Sequence, residues 1–179
     1  MKDELESIQS QINIIIQMKI ITAIIFLLFS VVASAETISG RVVGISDGDT
    51  VTILDVTNTQ YKIRLSGIDS PEKKQAFGSV AKKTLSDLIY GKQVDVNYSK
   101  LDRYQRIVGK IQFGNQDINL AMIKAGMAWH FTKYQKDQPF EDRLNYLHAQ
   151  MDAEKQKNGL WIDPNPIPPW EFRKSKRNK

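Results

Sequence analysis

The stretch ISGRVVGISDGDTVTILDV, residues 38–56, decides the fold. Ile38 to Ile45 and Thr50 to Val56 are two runs rich in valine and isoleucine, and they flank the segment SDGD at residues 46–49. Such residues favour strands, and an Asp-Gly pair between two such runs is a strong signal of a hairpin turn. The stretch therefore predicts a β-hairpin at the start of the folded domain.

The residues after this hairpin predict three more strands. Residues 61–65, YKIRL, alternate apolar and polar side chains, which is the period of a strand and places Arg64 on the face away from the apolar set. Residues 94–98 alternate in the same way. Ile107 to Phe113 forms a fifth strand that ends at a Gly-Asn pair.

Other segments have the periodicity of helices. Val80 to Ile89 carries an apolar stripe at helical spacing, and Ile118 to Ala125 reads as a short helix. A later amphipathic helix follows Pro139, with its apolar face at Leu144, Leu147, His148 and Met151. Five short strands, one helix between them and helices after them predict an α+β fold, a small closed or partly open barrel with helices against it.

Composition excludes several classes of chemistry. The chain has 179 residues, a net charge of +5 and no cysteine. Disulfide scaffolds, thiolate zinc sites, iron–sulfur clusters and cysteine nucleophiles are therefore excluded, because each needs sulfur from cysteine. A basic protein of this size predicts a polyanionic partner, either nucleic acid or an anionic membrane.

The N-terminal region is typical of an export signal. Residues 20–35 are 16 uncharged residues that end in Ala33-Ser34-Ala35, the small-x-small pattern of signal-peptidase cleavage after Ala35. A permanent membrane anchor is the alternative, but the run is shorter than the roughly 20 residues that span a bilayer. Residues 1–17 carry three acids, the wrong charge for the start of a signal peptide, whereas Met18-Lys19 begins a conventional one.

We therefore predict four parts. Residues 1–17 are an upstream extension that is not native to the protein, and residues 18–35 are a signal peptide. Residues 36–162 form the folded domain, and residues 163–179 are a proline-rich and then basic disordered tail. The expected product is a secreted or periplasmic monomer with no stable membrane association after cleavage.

Three carboxylates lie in predicted turns or loops, where they could converge on one rim of the barrel. Asp49 follows the hairpin glycine, Asp69 follows the strand that bears Arg64, and Glu72 comes three residues later behind a proline. Hard oxygen ligands on loops suit Ca²⁺ or Mg²⁺ and not zinc. Each acid taken singly also fits an ordinary turn residue. The combination favours a cation site.

Two arginines add a second chemistry. Arg64 lies on a strand, and Arg106 lies in the segment DRYQR, residues 102–106, which leads into the fifth strand. A guanidinium binds phosphate in a bidentate manner and keeps its charge at any physiological pH. Two of them beside a carboxylate-bound cation make a site for a phosphodiester approaching an in-line transition state.

These segments together resemble the staphylococcal nuclease-like, or thermonuclease, family. The resemblance covers Ile38 to Trp161, and five strings occur in the family's order: DGDT at 47–50, IRLSGIDSPE at 63–72, DRYQR at 102–106, AWH at 128–130 and NGLW at 158–161. It implies a five-stranded OB-fold barrel with about three helices. The implied activity is a Ca²⁺-dependent endonuclease that cuts DNA and RNA and leaves 3′-phosphates.

The resemblance also implies a role for individual residues. Asp49 and Asp69 match the carboxylate ligands of Ca²⁺, and Ser70 falls where the family supplies a backbone carbonyl. Glu72 matches the glutamate next to the attacking water, usually called the general base. Both arginines match the phosphate-binding pair, Arg64 and Arg106. The positions that contact substrate are Arg103, Tyr104 and Tyr134, and Gln105 stands where a glycine is common.

A non-catalytic OB-fold module that binds single-stranded nucleic acid is the competing function, since the barrel hosts both roles. A degenerate module should have lost part of the acid and arginine set, and here all five residues are present. A membrane-surface protein that uses the basic tail is a third possibility. For Trp129, His130, His148 and Trp161 we expect packing roles rather than chemistry.

Overall fold

The structure is a computed structural model, and it describes residues 10, 12–21 and 36–177 of the chain. The chain divides into two units, Met1–Ser34 and Ala35–Lys179. In the first unit, residues 12–21 are helical and exposed. Within the described ranges, none of the helices has the length and apolarity that crossing a membrane requires. The predicted cleavage site and most of the predicted signal peptide fall in residues 22–35, outside the described part.

The second unit is built around a closed barrel. Its strands are, in chain order, β1 (Glu36–Asp47), β2 (Thr50–Leu54), β3 (Gln60–Leu65), β4 (Ile68–Asp69), β5 (Gln93–Leu101), β6 (Ile107–Phe113), β7 (Gln116–Asp117) and β8 (Trp129–His130). Neighbouring strands in the order β3-β2-β1-β5-β6 pair antiparallel, and β3 pairs with β6 in parallel. That last pairing closes the sheet, so the predicted five-stranded barrel of the α+β class is confirmed.

Alternation along the strands fills the barrel. The predicted hairpin is present, with Val42 opposite Ile53 and Asp47 opposite Thr50. Val42, Ile53 and Ile63 are completely buried, whereas the residues on either side of each one in its strand are exposed or half-buried. On β3 and β6 the inward positions leave the alternate residues, Arg64 among them, on the outer face. Because the apolar residues of β3 point into the barrel, its polar residues, Lys62 and Arg64, lie on the outer surface.

Four helices accompany the barrel in the described part of this unit: α1 (Gly78–Ile89), α2 (Ile118–Lys124), α3 (Phe140–Lys155) and α4 (Pro169–Arg177). Short 3₁₀ turns cover Thr132–Asp137 and Gly159–Ile162. The predicted stripe of α1 is buried at Ala81, Leu85 and Ile89. The hydrophobic core contains the buried residues of α1 and α2 together with those of the barrel strands.

The buried face of α3 differs from the prediction. Leu144, Leu147 and Met151 are 40–57% exposed, and His148 is exposed as well. The helix instead buries Tyr146, together with Ala149 and Ala153. The Tyr146 hydroxyl donates to Asp117 Oδ2 at 3.1 Å, and the two alanines allow close approach of the helix. One satisfied aromatic anchor therefore outweighs the wider apolar stripe.

The predicted disordered tail is wrong for residues 169–177, which form α4. Pro169 occupies the first helical position, where its missing N–H costs nothing, and it is buried. Trp170 packs against Trp129 and Phe131, with ring centroids 5.6 Å and 5.5 Å apart. This apolar contact offsets the entropy cost of ordering a polar segment. The folded domain therefore extends beyond residue 162 to residue 177.

Asn119 holds the β3–β4 turn to β6 from inside the protein. Its side chain is fully buried, accepts from the Ile111 N–H at 3.1 Å, and donates to the Ser66 carbonyl at 2.9 Å and the Gly109 carbonyl at 3.3 Å. The alternating strand pattern gives no sign of this polar clamp.

Asn119→Leu is expected to lower the free energy of unfolding by about 3 kcal/mol, because it leaves buried main-chain groups without partners. Urea unfolding followed by circular dichroism measures this loss. The exposed Asn145, replaced by leucine, is the matched control and should stay close to wild type. Equal effects at the two positions would contradict the clamp.

Candidate active site

The β1–β2 turn places Asp49 at the barrel rim. Asp49 is 6% exposed, and its main-chain N–H donates to Asp47 Oδ1 at 3.2 Å, the bond of an Asx turn. Its carboxylate accepts from the Ser70 N–H at 2.8 Å and from the Thr50 hydroxyl at 3.1 Å. The turn that the sequence predicts as a hairpin connection is therefore also bonded to the segment after β4.

Gly48 permits this close contact between the turn and Ser70. A Cβ atom at Gly48 would lie 2.7 Å from the Cβ atoms of Ser70 and Ala81. The Ser70 hydroxyl donates to the Gly48 carbonyl at 2.9 Å. A larger residue would push the turn away from Ser70, so glycine at this position keeps Asp49 against the neighbouring loop.

Arg64 joins the two predicted carboxylate ligands. Its Nη1 lies 3.1 Å from Asp49 Oδ2, and its Nη2 lies 2.9 Å from Asp69 Oδ1. Nη1 also donates to the Leu65 and Ile68 carbonyls at 3.0 Å and 3.1 Å. Asp69 is only 1% exposed, and its main chain pairs with Trp129 of β8. The structure thus brings Asp49, Arg64 and Asp69 into one cluster, with Ser70 beside it.

Glu72 completes the acidic rim next to Asp69. It lies in the loop before α1, where its carbonyl accepts from the Gln75 N–H at 2.8 Å. A Cβ at Gly78 would lie only 1.9 Å from the Glu72 carbonyl oxygen, so the loop is packed tightly against the start of the helix. The Glu72 side chain remains 39% exposed. This exposure leaves the carboxylate within reach of solvent.

Arg173 of α4 is a member of the cluster that the sequence analysis missed. Its Nη1 lies 2.7 Å from Glu72 Oε1 and 3.1 Å from Asp69 Oδ1, and its Nη2 lies 2.8 Å from Asp69 Oδ2. The signal available in the sequence was Trp170, a large apolar side chain within an otherwise proline-rich and basic segment. Such a residue indicates that the segment packs against the domain. Arg173 lies one helical turn later and is therefore brought to the domain surface as well.

Arg106 is not part of this cluster. Its Nε donates to Asp102 Oδ2 at 2.8 Å, and Asp102 Oδ1 accepts from the main-chain N–H groups of Tyr104 and Arg106. Gln105 has a φ of 59°, the left-handed conformation that glycine adopts without cost. Among the described residues, no ion pair joins Arg106 to Asp49, Asp69 or Glu72. The parallel pairing of β3 and β6 still places Arg64 opposite Val108 on the outer face.

The predicted substrate-contact residues lie on the surface. Tyr104 is 64% exposed, and the Arg103 guanidinium lies 4.8 Å from its ring centroid. Tyr134 is 55% exposed, with Lys100 Nζ and Lys133 Nζ each 5.5 Å from its ring centroid. An exposed aromatic ring beside a cation is suited to stack a base while the cation contacts the backbone.

The predicted packing roles hold for Trp129, His130 and Trp161, whereas His148 is exposed, contrary to the prediction. Trp129 and Trp161 lie edge to face with centroids 4.3 Å apart. His130 is buried and lies 5.8 Å from the Tyr146 ring, and its Nε2 is 3.4 Å from Gln138 Oε1. Burial lowers the pKa of His130, so the ring is neutral at physiological pH. Trp129 and His130 therefore serve as packing residues, and their main chains support the acidic cluster by pairing with Asp69 and Ile68.

The protonation of Asp49 reflects its surroundings. Burial raises the pKa of Asp49 to about 7, and the negative charges of Asp47 and Asp69 act in the same direction. The Arg64 guanidinium and the Ser70 N–H lower it but do not fully compensate. Without a further positive charge, this carboxylate is only partly ionised near neutral pH.

Asp49→Asn is expected to raise the melting temperature in chelator, with a gain that grows between about pH 4 and about pH 7 and is constant above. In the wild type the raised pKa of the folded state means that unfolding releases the Asp49 proton, which favours the unfolded chain increasingly across this window. Asparagine cannot ionise and removes the penalty. Thermal melts across this pH range measure the gain, with the exposed Asp152→Asn as control. A gain independent of pH would contradict the burial of Asp49.

The donor set fits a hard dication. The carboxylates of Asp49 and Asp69, which both contact Arg64, are oxygen ligands of the kind that Ca²⁺ and Mg²⁺ take. Two guanidinium groups already contact these carboxylates, so the rim attracts positive charge. Across the described residues, no three His, Cys, Asp or Glu side chains are close enough to hold a metal ion among themselves. A cation here would therefore complete its ligands with carbonyls and water.

Fold and site together define a class: an OB-type barrel whose rim combines buried carboxylates with arginines, an arrangement suited to a cation and a phosphate ester. Residues 62–163 match the family described as "Staphylococcal nuclease homologue", and the chain belongs to this family. The predicted resemblance is confirmed.

The chain is similar to curated bacterial proteins over most of its length. An "Uncharacterized endonuclease" of Haemophilus influenzae is 45% identical over 164 residues, which is 90% of this chain and 89% of that protein. An "Uncharacterized endonuclease" of Escherichia coli is 38% identical over 154 residues, 86% of this chain and 96% of that protein. A "Micrococcal nuclease" of Shigella flexneri is 38% identical over 170 residues, 90% of this chain and 94% of that protein.

Proposed function

We propose that this protein is a secreted or periplasmic endonuclease that hydrolyses the phosphodiester bonds of DNA and RNA to give 3′-phosphate ends, with Ca²⁺ as its cofactor. The observation that carries the proposal is the cluster of Asp49, Arg64 and Asp69 at the barrel rim, next to Glu72. The endonuclease and nuclease names of the similar proteins support the same reading. Nucleases of this family are generally metal-dependent.

Asp49, Asp69 and the Ser70 carbonyl would hold the cation. When bound, it neutralises charge on the phosphate and helps to orient or acidify water. Burial of both carboxylates strengthens their attraction for a dication, because little water screens them. Positive charge at this position also favours the ionised form of Asp49, whose pKa burial otherwise raises.

Glu72 would take a proton from water. Its exposed carboxylate adjoins the buried Asp69 through shared contacts with Arg173, so it lies at the edge of the cluster facing solvent. Water that loses a proton to Glu72 attacks phosphorus. The bond from phosphorus to the 5′-oxygen then breaks, that oxygen takes a proton from water, and the phosphate stays on the 3′-oxygen.

The arginines stabilise charge on the phosphate. Arg64 is held by two main-chain carbonyls, so its guanidinium is already oriented before substrate binds. Arg106 donates to Asp102 in the loop that leads into β6. Tyr104 and Tyr134 supply exposed rings for bases, with Arg103 beside the first. We propose that the protein acts as a monomer without stable membrane association.

Digestion of plasmid DNA and of single-stranded DNA and RNA tests the proposal. We expect cleavage with Ca²⁺ and none with chelator. The 5′-hydroxyl ends of the products should be labelled by polynucleotide kinase without prior dephosphorylation, and their 3′ ends should be extended by terminal transferase only after phosphatase treatment. Mg²⁺ in place of Ca²⁺ tests the choice of ion. Binding without cleavage in Ca²⁺ would support the alternative, a non-catalytic module for single-stranded nucleic acid. Export is tested by the N-terminal sequence of the extracellular protein, which should begin at Glu36.

A further inference from the structure

Helix α4 brings a third guanidinium to the acidic rim. Trp170 packs on Trp129 and Phe131, Pro169 is buried, and the Gln75 side chain donates to the Ile167 carbonyl at 2.6 Å. Residues three apart on a helix share a face, so the contact that anchors Trp170 also directs Arg173 toward the domain. Arg173 therefore reaches the rim from a helix with an apolar anchor of its own.

Arg173 donates hydrogen bonds to Asp69, the proposed cation ligand, and to Glu72, the proposed base. Asp69 Oδ1 accepts from Arg64 Nη2 at 2.9 Å and from Arg173 Nη1 at 3.1 Å, and Asp69 Oδ2 accepts from Arg173 Nη2 at 2.8 Å. Glu72 Oε1 accepts from Arg173 Nη1 at 2.7 Å. Both oxygens of the proposed ligand and one oxygen of the proposed base are thus engaged by the protein itself.

This arrangement has an electrostatic cause. Asp69 and Glu72 carry like charges at close quarters, and Asp69 is almost fully buried, so the pair needs a positive charge between them when no cation is present. The forked guanidinium of Arg173 matches two carboxylates better than an ammonium group does. It is also partly exposed, with 41% of its side chain accessible, so it can leave without unpacking the core.

We infer that Arg173 is a positioning residue of the site, which holds Asp69 and Glu72 together in the cation-free protein and which a divalent cation must displace. The inference rests on the proposed function, since it assumes that Asp69 binds the cation. A tethered competitor lowers the apparent affinity for the cation by the fraction of molecules in which it is docked. Removal of Arg173 should therefore strengthen cation binding while it weakens the cation-free fold.

Calorimetric titration of the full chain with CaCl₂ tests this competition. Arg173→Gln should bind Ca²⁺ about tenfold more tightly than wild type, the size expected for loss of charge-assisted hydrogen bonds from a partly exposed group. Arg173→Lys should fall between the two. Arg177→Gln removes the same charge from an exposed position on the same helix, and it should match wild type.

Thermal melts supply a second readout that a merely structural contact would not give. Arg173→Gln should melt below wild type in chelator and should equal it in saturating Ca²⁺. Equal loss under both conditions, or a Ca²⁺ affinity unchanged in Arg173→Gln, would overturn the inference. A fall in kcat with unchanged Ca²⁺ affinity would also overturn it, because Arg173 would then act on the phosphate.

Asp69→Asn separates this inference from the proposed function. If wild type binds Ca²⁺ no more tightly than Asp69→Asn, the proposed cation site is refuted, and the competition with it. If binding depends on Asp69 but is equal in wild type and Arg173→Gln, the role of Arg173 alone is refuted. Tighter binding in Arg173→Gln that Asp69→Asn abolishes in the double variant supports both.

Discussion

Arg64→Ala is expected to lower kcat about 10²-fold to 10³-fold, the loss seen when one preorganised donor to a developing charge is removed. KM should change less, because the extra negative charge that Arg64 would stabilise exists mainly in the transition state. Arg64 is suited to this role because the Leu65 and Ile68 carbonyls fix its guanidinium. Steady-state kinetics on a defined oligonucleotide with Ca²⁺ measure the split between kcat and KM.

The same substitution is expected to weaken the cation-free fold. Arg64 contacts the buried carboxylates of Asp49 and Asp69. Removal of one partner of a buried ion pair lowers the free energy of unfolding by about 3–5 kcal/mol. Urea unfolding in chelator measures this cost. Ca²⁺ should restore part of the lost stability, since a cation supplies the missing positive charge.

Arg41→Ala is the matched control for Arg64. Arg41 lies exposed on β1, so its loss should leave kcat and stability close to wild type. Arg106→Ala should resemble Arg64→Ala in kinetics, but its cost in stability should be smaller because Asp102 is less buried than Asp69. A loss confined to KM in both arginine variants would contradict a transition-state role.

The barrel was predictable because its strands obey one simple rule. Inward Val42, Ile53 and Ile63 alternate with outward residues, and the Asp-Gly turn sets the first register. The rim residues Asp49, Arg64 and Asp69 follow from the same rule once the strands are placed, since each lies next to a strand end or on an outward position, and Glu72 follows in the loop after β4. Spacing in the sequence is therefore enough to bring this part of the site together.

Arg173 and the face of α3 were not predictable from periodicity. The helix α3 buries Tyr146 because the Tyr146 hydroxyl donates a hydrogen bond to Asp117. A pattern of apolar residues carries no information about that bond. Residues 163–179 have the composition of a disordered arm, yet the packing of one tryptophan, Trp170, on Trp129 and Phe131 orders α4. In both cases one specific tertiary contact outweighs the average tendency of the segment.

Glu72→Gln is expected to lower kcat by about 10²-fold to 10⁴-fold, the usual contribution of a positioned general base. Glutamine keeps the shape of the side chain and can still accept from Arg173, so the fold around the loop should persist. Glutamine cannot accept the proton of the attacking water. Single-turnover kinetics with saturating enzyme isolate this step from product release.

The Glu72→Asp variant distinguishes a base from a residue that only holds the loop. Aspartate keeps a carboxylate that can accept a proton, on a shorter stem, so Glu72→Asp should retain more of the wild-type kcat than Glu72→Gln does. The exposed Glu141→Gln controls for general loss of negative charge and should match wild type. A Glu72→Asp enzyme that is as slow as Glu72→Gln, or slower, would contradict a role for Glu72 as proton acceptor, because shape and not basicity would then decide the rate.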